Sequence, residues 1–248
     1  MGLVLKGYWV EKTPAGSVRE SLPWTFELDP EVVARHISDS CAFIHYYDQA
    51  AVAQDNRIAP LDWGVTSLLM GPVRTDDTFS VLAAQPNGRS GCPAAISAGL
   101  SRVPPSAKLT AADARESYGD GLSDLLAAIC QVKGVGPSIA TKLLHKKRPD
   151  LIPVVDSLVF EFYTGTRMPQ SKSLAVGPVI DLILGRFRND LISNSSEGQF
   201  LGGVRTRLLE DSIDFLTDVR VLEMSIWLAC RRPSGFGLSK PSGIAESA

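Results

Sequence analysis

The chain has few of the residues that mark metal centres or membrane spans. Its four cysteines lie far apart and form no C-x2-C pair, so their spacing does not predict a zinc or iron–sulfur site. No apolar run approaches the roughly 18 to 20 residues that a membrane-spanning helix needs. The formal net charge of −2 also argues against a protein that coats nucleic acid through charge alone.

What remains is the composition of an ordinary globular protein. Apolar residues make up 44% of the 248 residues and charged residues 21%, which is typical of a chain that buries a substantial core. Residues 1–7 are too short an apolar run for a secretion signal. We therefore expect a cytoplasmic monomer with no membrane partner.

Capping residues and apolar periodicity predict helices along most of the chain. Asp29 precedes Pro30, the preferred order at a helix start, and a capping box at Thr110–Asp113 predicts another start. Strands and helices do not alternate, so the predicted class is all-α. The predicted helices span 30–54, 60–70, a segment beginning near 75, 94–100, 121–132, 137–147, 157–164, 176–195, 200–215 and 217–232.

These helices define the predicted domain organisation. We expect an irregular or short-stranded arm at 1–28 and one helical domain at 29–232. The tail at 233–248 consists mainly of glycine, serine and proline, and we expect it to be disordered.

The most informative stretch runs from Val132 to Leu144 and contains two glycines around one valine. The glycines allow a tight turn and the close approach of a phosphate to the backbone. The N–H groups at the start of the following helix are unsatisfied and lie at its positive end, which makes an anion site. The stretch therefore predicts a helix-hairpin-helix over 122–147 that binds a nucleic-acid backbone, with Val135 directed inwards.

The residues expected to contact DNA follow from this hairpin. Lys133 and Lys142 are expected to be free to meet phosphates, and Lys146, Lys147 and Arg148 extend the basic character of the second helix. A glycine-containing turn without a ligand is the alternative. The predicted DNA contacts within the hairpin are Lys133, Gly134, Val135, Gly136, Ser138, Thr141 and Lys142.

One carboxylate is placed to work with the hairpin. Asp156 stands twenty residues after Gly136, behind the extended Ile152–Val155 and before a predicted helix. Cleavage of an N-glycosidic bond builds positive charge on the sugar, which a fixed carboxylate stabilises while it orients the attacking water. The alternative is a plain helix N-cap, and the two roles are compatible. We expect Asp156 to be catalytic.

Hairpin and carboxylate together resemble the helix-hairpin-helix DNA glycosylase superfamily, in which a Gly-Val-Gly hairpin is followed by a Pro-Val-Asp element. The resemblance covers about 122–164, with the carboxylate element at 152–164. It implies two helical subdomains with a substrate cleft between them, and base excision with Asp156 as the catalytic carboxylate. It also implies that the Gly134–Ser138 backbone binds phosphate, often with a monovalent cation. No other cofactor is expected.

Three departures from the superfamily pattern refine this expectation. Ser138 occupies the position of the lysine that forms a Schiff base in bifunctional members, so a monofunctional enzyme that leaves an abasic site is expected. The C-terminal iron–sulfur cysteines are absent, since Cys230 alone lies in that region. Leu158 stands where the superfamily usually has a histidine, two residues after the aspartate.

Base recognition is expected from the helices before the hairpin, because aromatic side chains stack on flipped bases and polar groups read their edges. The candidate base-pocket residues are His45, Tyr46, Tyr47, Asp62 and Trp63. Tyr46 and Tyr47 are adjacent and face different directions on a helix, so one of them is expected in the core. The loop that would fill the gap left by the base falls at 71–76, with Arg74 as its candidate wedge.

The sequence thus predicts a monofunctional DNA glycosylase that acts on a damaged or modified base. Since the usual glutamine of the gap-filling loop is missing, our hypothesis for the substrate is a hypermodified base of phage DNA, which would give an antiviral role. The main alternative is a non-catalytic DNA-binding module that uses the hairpin alone. A protein-interaction domain on the same scaffold is a further alternative. A nuclease ranks lowest, because it needs clustered carboxylates for metal ions and the adjacent pair Asp76-Asp77 is typical of a helix start.

Overall fold

In the computed structural model, helices form the body of the protein. The structure describes residues 3–7, 10–12, 18–20, 24–39, 42–69, 92–131, 135–166, 168, 176–195 and 199–231. From Pro30 onwards these residues form ten helices, which confirms the predicted all-α class for this part. The helices are α1 (Pro30–Asp39), α2 (Ala42–Gln49), α3 (Pro60–Ser67), α4 (Cys92–Ser101), α5 (Ala114–Cys130), α6 (Pro137–Lys147), α7 (Ser157–Thr164), α8 (Val176–Asn194), α9 (Phe200–Glu210) and α10 (Asp218–Arg231).

Two short antiparallel ribbons precede the helices. Strand β1 (Leu3–Gly7) pairs with β4 (Trp24–Leu28), and β2 (Val10–Lys12) pairs with β3 (Val18–Glu20). The arm predicted at 1–28 therefore contains short strands, one of the two forms expected for it. The tail predicted at 233–248 lies outside the described residues.

Local capping signals predicted several helix starts correctly. The Oδ1 atom of Asp29 accepts a hydrogen bond from the N–H of Glu31 at 2.9 Å, and Pro30 is the first residue of α1. The predicted single helix over 30–54 is wrong, because α1 ends at Asp39 and α2 ends at Gln49. After Gln49 the chain takes an irregular path whose carbonyl groups accept hydrogen bonds from α6 and its C-terminal cap.

Other predicted boundaries also differ from the structure, and the helix predicted to begin at 121 begins earlier, at Ala114. The capping box at Thr110 is wrong, since α5 begins at Ala114 and Asp113 accepts a hydrogen bond from the Ser117 hydroxyl at 2.7 Å. Helix α9 ends at Glu210, before the predicted 215, because Ser212 turns the backbone with a φ of 60°. The helix predicted to begin near 75 falls outside the described residues.

One contiguous apolar core runs from Leu28 to Ala229 and takes residues from both ends of the helical body. Helix α5 packs against α6, and α10 packs against α7. Val135, in the connection between α5 and α6, is 3% exposed, as expected. The core therefore fixes the connection between these two helices relative to α7, although the division into two subdomains stays a prediction.

A buried ion pair joins α6 to α3. The ammonium of Lys147, 1% exposed, lies 2.8 Å from Oδ2 of Asp62, which is 2% exposed. The same ammonium lies 3.0 Å from Oδ1 of Asp55 and donates to the carbonyl of Ala53 at 2.7 Å. Since Asp62 also accepts from the N–H of Ala59 at 2.6 Å, this pair anchors the start of α3 on α6.

We expect the substitution Asp62→Ala to lower the free energy of unfolding by about 3–5 kcal/mol, because it leaves the buried ammonium of Lys147 without its inner partner. Chemical denaturation measures the loss. Glu31→Ala is the matched control, since it breaks the exposed pair with Arg35 and should cost at most about 1 kcal/mol. Equal losses in the two variants would contradict a structural role for the buried pair.

Candidate active site

The start of α6 presents backbone N–H groups that no side chain caps. Gly136 precedes the helix and Pro137 is its first residue. Within the described part of the chain, the N–H groups of Ser138 and Ile139 have no acceptor. Such groups lie at the positive end of the helix dipole, so this end of α6 can receive an anion.

Neither the backbone conformation nor the described surroundings require a glycine at position 136. Its φ of −97° and ψ of 179° are extended values open to any residue, so the expectation of a conformation that a Cβ forbids is wrong at this position. A Cβ added there would meet no atom within 4 Å. The space beside this N-cap residue is therefore open among the described residues. Gly134 and Lys133 lie outside the described residues.

Asp156 begins α7 with one carboxylate oxygen fixed. Its Oδ1 accepts hydrogen bonds from the N–H groups of Leu158 at 2.9 Å and Val159 at 3.0 Å, so the N-cap role is confirmed. Its Oδ2 receives no hydrogen bond from any described residue, and the side chain is half-buried. Oδ1 therefore fixes the orientation of the carboxylate, while Oδ2 is left as an available hydrogen-bond acceptor.

A hydrogen bond holds α6 and the Asp156 segment together. The hydroxyl of Thr141 donates to the carbonyl of Pro137 at 2.9 Å and accepts from the N–H of Val155 at 3.0 Å. Thr141 is 1% exposed and Val155 is fully buried, so this link lies inside the core. It fixes the carboxylate relative to the uncapped start of α6.

The lysines of α6 are not free, contrary to the sequence expectation. Lys142 donates through Nζ to the carbonyl of Leu69 at 2.9 Å, and Lys146 donates to the carbonyl of Asp48 at 3.0 Å. Lys147 is buried in its ion pair with Asp62. The cause is the irregular backbone around α2 and α3, whose carbonyl groups need donors once they are packed against α6.

Arg148, which follows α6, is also internal. It is fully buried and donates to four backbone carbonyl groups and to one side-chain oxygen. Its acceptors belong to Gln54, Asn56, Leu100, Val103 and Lys147. The basic residues of this segment therefore stabilise the fold.

A second polar centre, the Arg220 cluster, consists of Arg220, Asp48, Glu223 and Tyr47. Arg220 donates through Nε to both carboxylate oxygens of Asp48, at 3.1 and 3.2 Å, and through a terminal nitrogen to Glu223. Its guanidinium carbon lies 5.5 Å from the centre of the Tyr47 ring. The hydroxyl of Tyr47 donates to the carbonyl of Lys142 at 2.5 Å, which joins the cluster to α6.

Burial changes the protonation of this centre. It raises the pKa of Glu223 to about 7; Arg220 opposes this rise, and the charges of Asp156 and Asp48 add to it. Burial lowers the pKa of Lys142, against the opposing charges of Asp156 and Glu223. Asp156, Glu223 and Lys142 therefore act on one another electrostatically.

The histidine beside the Arg220 cluster stays neutral. Burial, reinforced by the charge of Arg220, lowers the pKa of His145 to about 3. Its Nδ1 lies 2.7 Å from the carbonyl of Ile152, and its ring stacks on Tyr47 with a centroid distance of 6.2 Å. A neutral imidazole has one N–H, so Nδ1 is the donor and Nε2 is left as an acceptor.

Several predicted base-pocket residues are interior. Tyr47 and Trp63 are core side chains, and Asp62 belongs to the buried pair with Lys147. Tyr46 is 66% exposed, so the expected division between the two tyrosines is confirmed. The buried positions of Tyr47, Asp62 and Trp63 do not suit a base pocket shared with the exposed Tyr46. The side chain of His45 and all of Arg74 lie outside the described residues.

An open cavity of about 270 Å³ adjoins the Arg220 cluster. Its lining residues include Asp48, His145, Lys146, Phe215, Thr217 and Arg220. Sequence reasoning missed Arg220 and Glu223. The available signal was a pair of charges three residues apart in the otherwise apolar run of α10.

The fold and site define a helical protein with an uncapped helix start, a fixed carboxylate and a buried charged centre. The chain belongs to a family of unknown function, DUF6308, whose match covers residues 39–191 and so includes both the predicted hairpin at 122–147 and Asp156. No curated protein and no solved structure matches the chain.

Among the described residues, no three or more His, Cys, Asp or Glu side chains converge in a group suited to a metal ion. No helix in this part of the chain is long and apolar enough to cross a membrane. The turn at which the resemblance implies a monovalent cation includes 132–134, outside the described residues.

We expect Glu223→Gln to alter how stability depends on pH. The native state holds the Glu223 proton up to about pH 7, while the unfolded chain releases it near its ordinary pKa of 4.5. The free energy of unfolding of the wild type should therefore fall, relative to the variant, as the pH rises from 4.5 to 7, by up to about 1.4 kcal/mol per pH unit.

Urea denaturation of both proteins at each pH measures this difference, in which the contribution of His145 cancels. Glu161→Gln on α7 is the matched control, because Glu161 is half-buried and lies outside the Arg220 cluster. A wild-type-minus-variant difference that stays constant across this range would contradict the raised pKa.

Proposed function

We propose that the protein is a monofunctional DNA glycosylase, which hydrolyses the N-glycosidic bond of a damaged or modified base and leaves an abasic site. The observation that supports this most directly is the geometry of Asp156. One oxygen of its carboxylate is fixed by the start of α7, and the other has no donor among the described residues. The Thr141 link holds this carboxylate relative to the uncapped start of α6.

The chemistry asked of Asp156 is electrostatic. As the base departs, positive charge develops on the sugar, and the available Oδ2 stabilises it while it orients or deprotonates the attacking water. Removing one such preorganised group typically costs about 100- to 1,000-fold in rate. Ser138 cannot form an imine, so the product keeps its strand intact.

DNA contact rests on the backbone of α6 more than on its lysines. Lys142 and Lys146 already donate to carbonyl groups, whereas the N–H groups of Ser138 and Ile139 have no described acceptor. A phosphate in the open space beside Gly136 would satisfy them. Lys133, Gly134 and Arg74 remain proposed DNA contacts outside the described residues.

The substrate and setting are part of the same proposal. His45 and the exposed Tyr46 stay the proposed base-reading residues on α2. A hypermodified base, such as those of phage DNA, fits a chain that lacks the usual gap-filling glutamine. We propose that the enzyme acts as a cytoplasmic monomer.

Asp156→Asn should abolish base release and leave DNA binding intact. Asparagine caps helices as well as aspartate does, so α7 should keep its start, while the negative charge that stabilises the sugar cation is lost. The assay incubates purified protein with duplexes that carry alkylated, oxidised, deaminated or glucosyl-hydroxymethylated bases, and alkali then reveals the abasic sites.

Full activity in Asp156→Asn would remove Asp156 from the mechanism. If alkali produces no strand breaks in any duplex although the wild-type protein still binds DNA, a non-catalytic DNA-binding module is favoured. Such a module would also tolerate Asp156→Ala, at a cost of about 0.5–2 kcal/mol in helix capping.

Gly136→Asp should separate phosphate binding from folding. An aspartate there would cap α6 and raise the free energy of unfolding by a few tenths of a kcal/mol, roughly the usual advantage of aspartate over glycine at an N-cap. Its negative charge would also repel the phosphate. We therefore expect roughly tenfold weaker DNA binding, which corresponds to about 1.4 kcal/mol of binding free energy.

Fluorescence anisotropy with a labelled duplex measures the affinity. Gly185→Asp is the matched control, because it adds the same charge on α8 at a glycine whose Cβ would also meet no atom within 4 Å. Equal affinity in Gly136→Asp and the wild type would exclude the start of α6 as a phosphate site.

A further inference from the structure

The open cavity of about 270 Å³ beside the Arg220 cluster contains polar side chains that the proposed reaction does not use. Its lining residues come from the C-terminal end of α6, from α2 and the irregular segment after it, and from the start of α10 and the loop before it. Three of them, His145, Lys146 and Arg220, carry nitrogen atoms that can hold a ligand. Asp156 is not one of the lining residues, so a ligand held here need not be the proposed substrate.

Arg220 brings unused N–H donors to this cavity. The residue is 4% exposed, and it donates through Nε to Asp48 and through Nη1 to Glu223. Its other terminal nitrogen, Nη2, has no acceptor among the described residues. The side-chain atoms there that lack both a partner and solvent contact are Nε1 of Trp63 and Oε1 of Gln199. Solvent therefore reaches Nη2, and the cavity that Arg220 lines is an open route to it.

His145 brings an unused acceptor to the same cavity. It is 3% exposed, and its Nδ1 donates to the carbonyl of Ile152 at 2.7 Å. Burial and the charge of Arg220 lower the pKa of His145 to about 3, so the ring is neutral and Nε2 keeps a lone pair. Nε2 has no partner in the described part of the chain, and it is not one of the fully enclosed atoms that lack one. A ligand in the cavity therefore meets an acceptor as well as the donors of Arg220.

Lys146 adds a second cation to the lining. Its half-buried ammonium donates to the carbonyl of Asp48 at 3.0 Å and lies 5.2 Å from the centre of the Tyr47 ring. Neither the carbonyl nor the ring carries a full negative charge, and Lys146 forms no salt bridge with any described residue. An ammonium has three N–H donors, so two of them remain for a ligand.

At pH 6 these side chains carry a net positive charge. The carboxylate of Asp48, which also lines the cavity, offsets the charge of Arg220. Burial raises the pKa of Glu223 to about 7, so this group is mostly protonated at pH 6. The charge of Lys146 is then in excess, and it favours an anion in the cavity.

We propose that the cavity binds a phosphate group that carries a proton, either inorganic phosphate or the monoester of a small molecule. Arg220 and Lys146 donate to its charged oxygens, and its P–O–H group donates to Nε2 of His145. Sulfate suits the two donors, but it has no proton for the acceptor. The cavity is close to the lower limit of about 300 Å³ for ligand sites, so the organic part of a monoester is small.

Isothermal titration calorimetry at pH 6 tests this assignment, with inorganic phosphate, ribose 5-phosphate and sulfate as probes. Inorganic phosphate carries a proton at this pH, and so does about half of a monoester, whose second pKa is about 6. Sulfate is unprotonated and more negative, so charge attraction alone would favour it. We expect phosphate to bind at least about tenfold more tightly than sulfate, because sulfate sets an oxygen against the acceptor of His145.

The order of the two phosphate probes identifies the source of the group. Tighter binding of ribose 5-phosphate than of inorganic phosphate indicates a monoester, and the reverse order indicates the inorganic ion.

Lys146→Gln keeps a donor for the carbonyl of Asp48 and removes the charge, so it should weaken phosphate binding about tenfold or more. Lys142→Gln is the matched control. Lys142 is also half-buried on α6 and donates to a carbonyl group at 2.9 Å, but it does not line the cavity. Its loss should change the affinity less than about threefold, the effect of a more distant and partly screened charge.

Substitutions of His145 test the acceptor. His145→Asn keeps an N–H for the carbonyl of Ile152 but has no acceptor at the position of Nε2, so the preference for phosphate over sulfate should disappear. His145→Gln offers an oxygen near that position and should retain part of the preference.

A folded wild type that binds no phosphate at millimolar concentrations, or that binds sulfate as tightly, overturns the proposal, and so do equal losses in Lys146→Gln and Lys142→Gln. Gly136→Asp distinguishes the uncapped start of α6, because loss of phosphate binding in this variant would place the ion there and overturn the assignment to the cavity. Should His145→Asn fail to fold, Lys146→Gln decides. None of these results depends on base release, so the proposed glycosylase is tested separately.

Discussion

The interaction on which the rest of the structure depends is the burial of cations at the C-terminal end of α6. Lys147 and Arg148 are almost fully enclosed, and an unpaired buried cation costs several kcal/mol. The irregular segment around Ala53 and Asn56 supplies the necessary oxygens, together with Asp62 at the start of α3. These contacts orient α6, and the orientation of α6 sets where its uncapped start and the Asp156 segment lie.

The Arg220 cluster has a different balance between stability and chemistry. One cation between two carboxyl groups holds α10 against α2, but it leaves Glu223 with a raised pKa and a fold that is less stable when this group ionises. Such a compromise is common at functional sites, where groups are kept in environments that folding alone would avoid.

Signals that act within one turn of a helix were readable from the sequence. Pro30, Pro137 and Asp156 mark helix starts correctly, because capping depends on neighbouring residues. The lysines of α6 were misread, because Lys142 finds its acceptor at Leu69, far away in the sequence. A charged residue on a helix shows its charge in the sequence but not its partner. The role of Arg148 was hidden in the same way, since its acceptors come from three separate segments.

The contacts of Arg148 also determine which parts of the protein open together. Its acceptors lie in the irregular segment after α2, at the end of α4 and in the turn that follows. None of these segments can detach alone without leaving a guanidinium N–H unsatisfied in the interior. The loop after α2, although it lacks regular secondary structure, is therefore expected to open together with the segments that share Arg148 and not on its own.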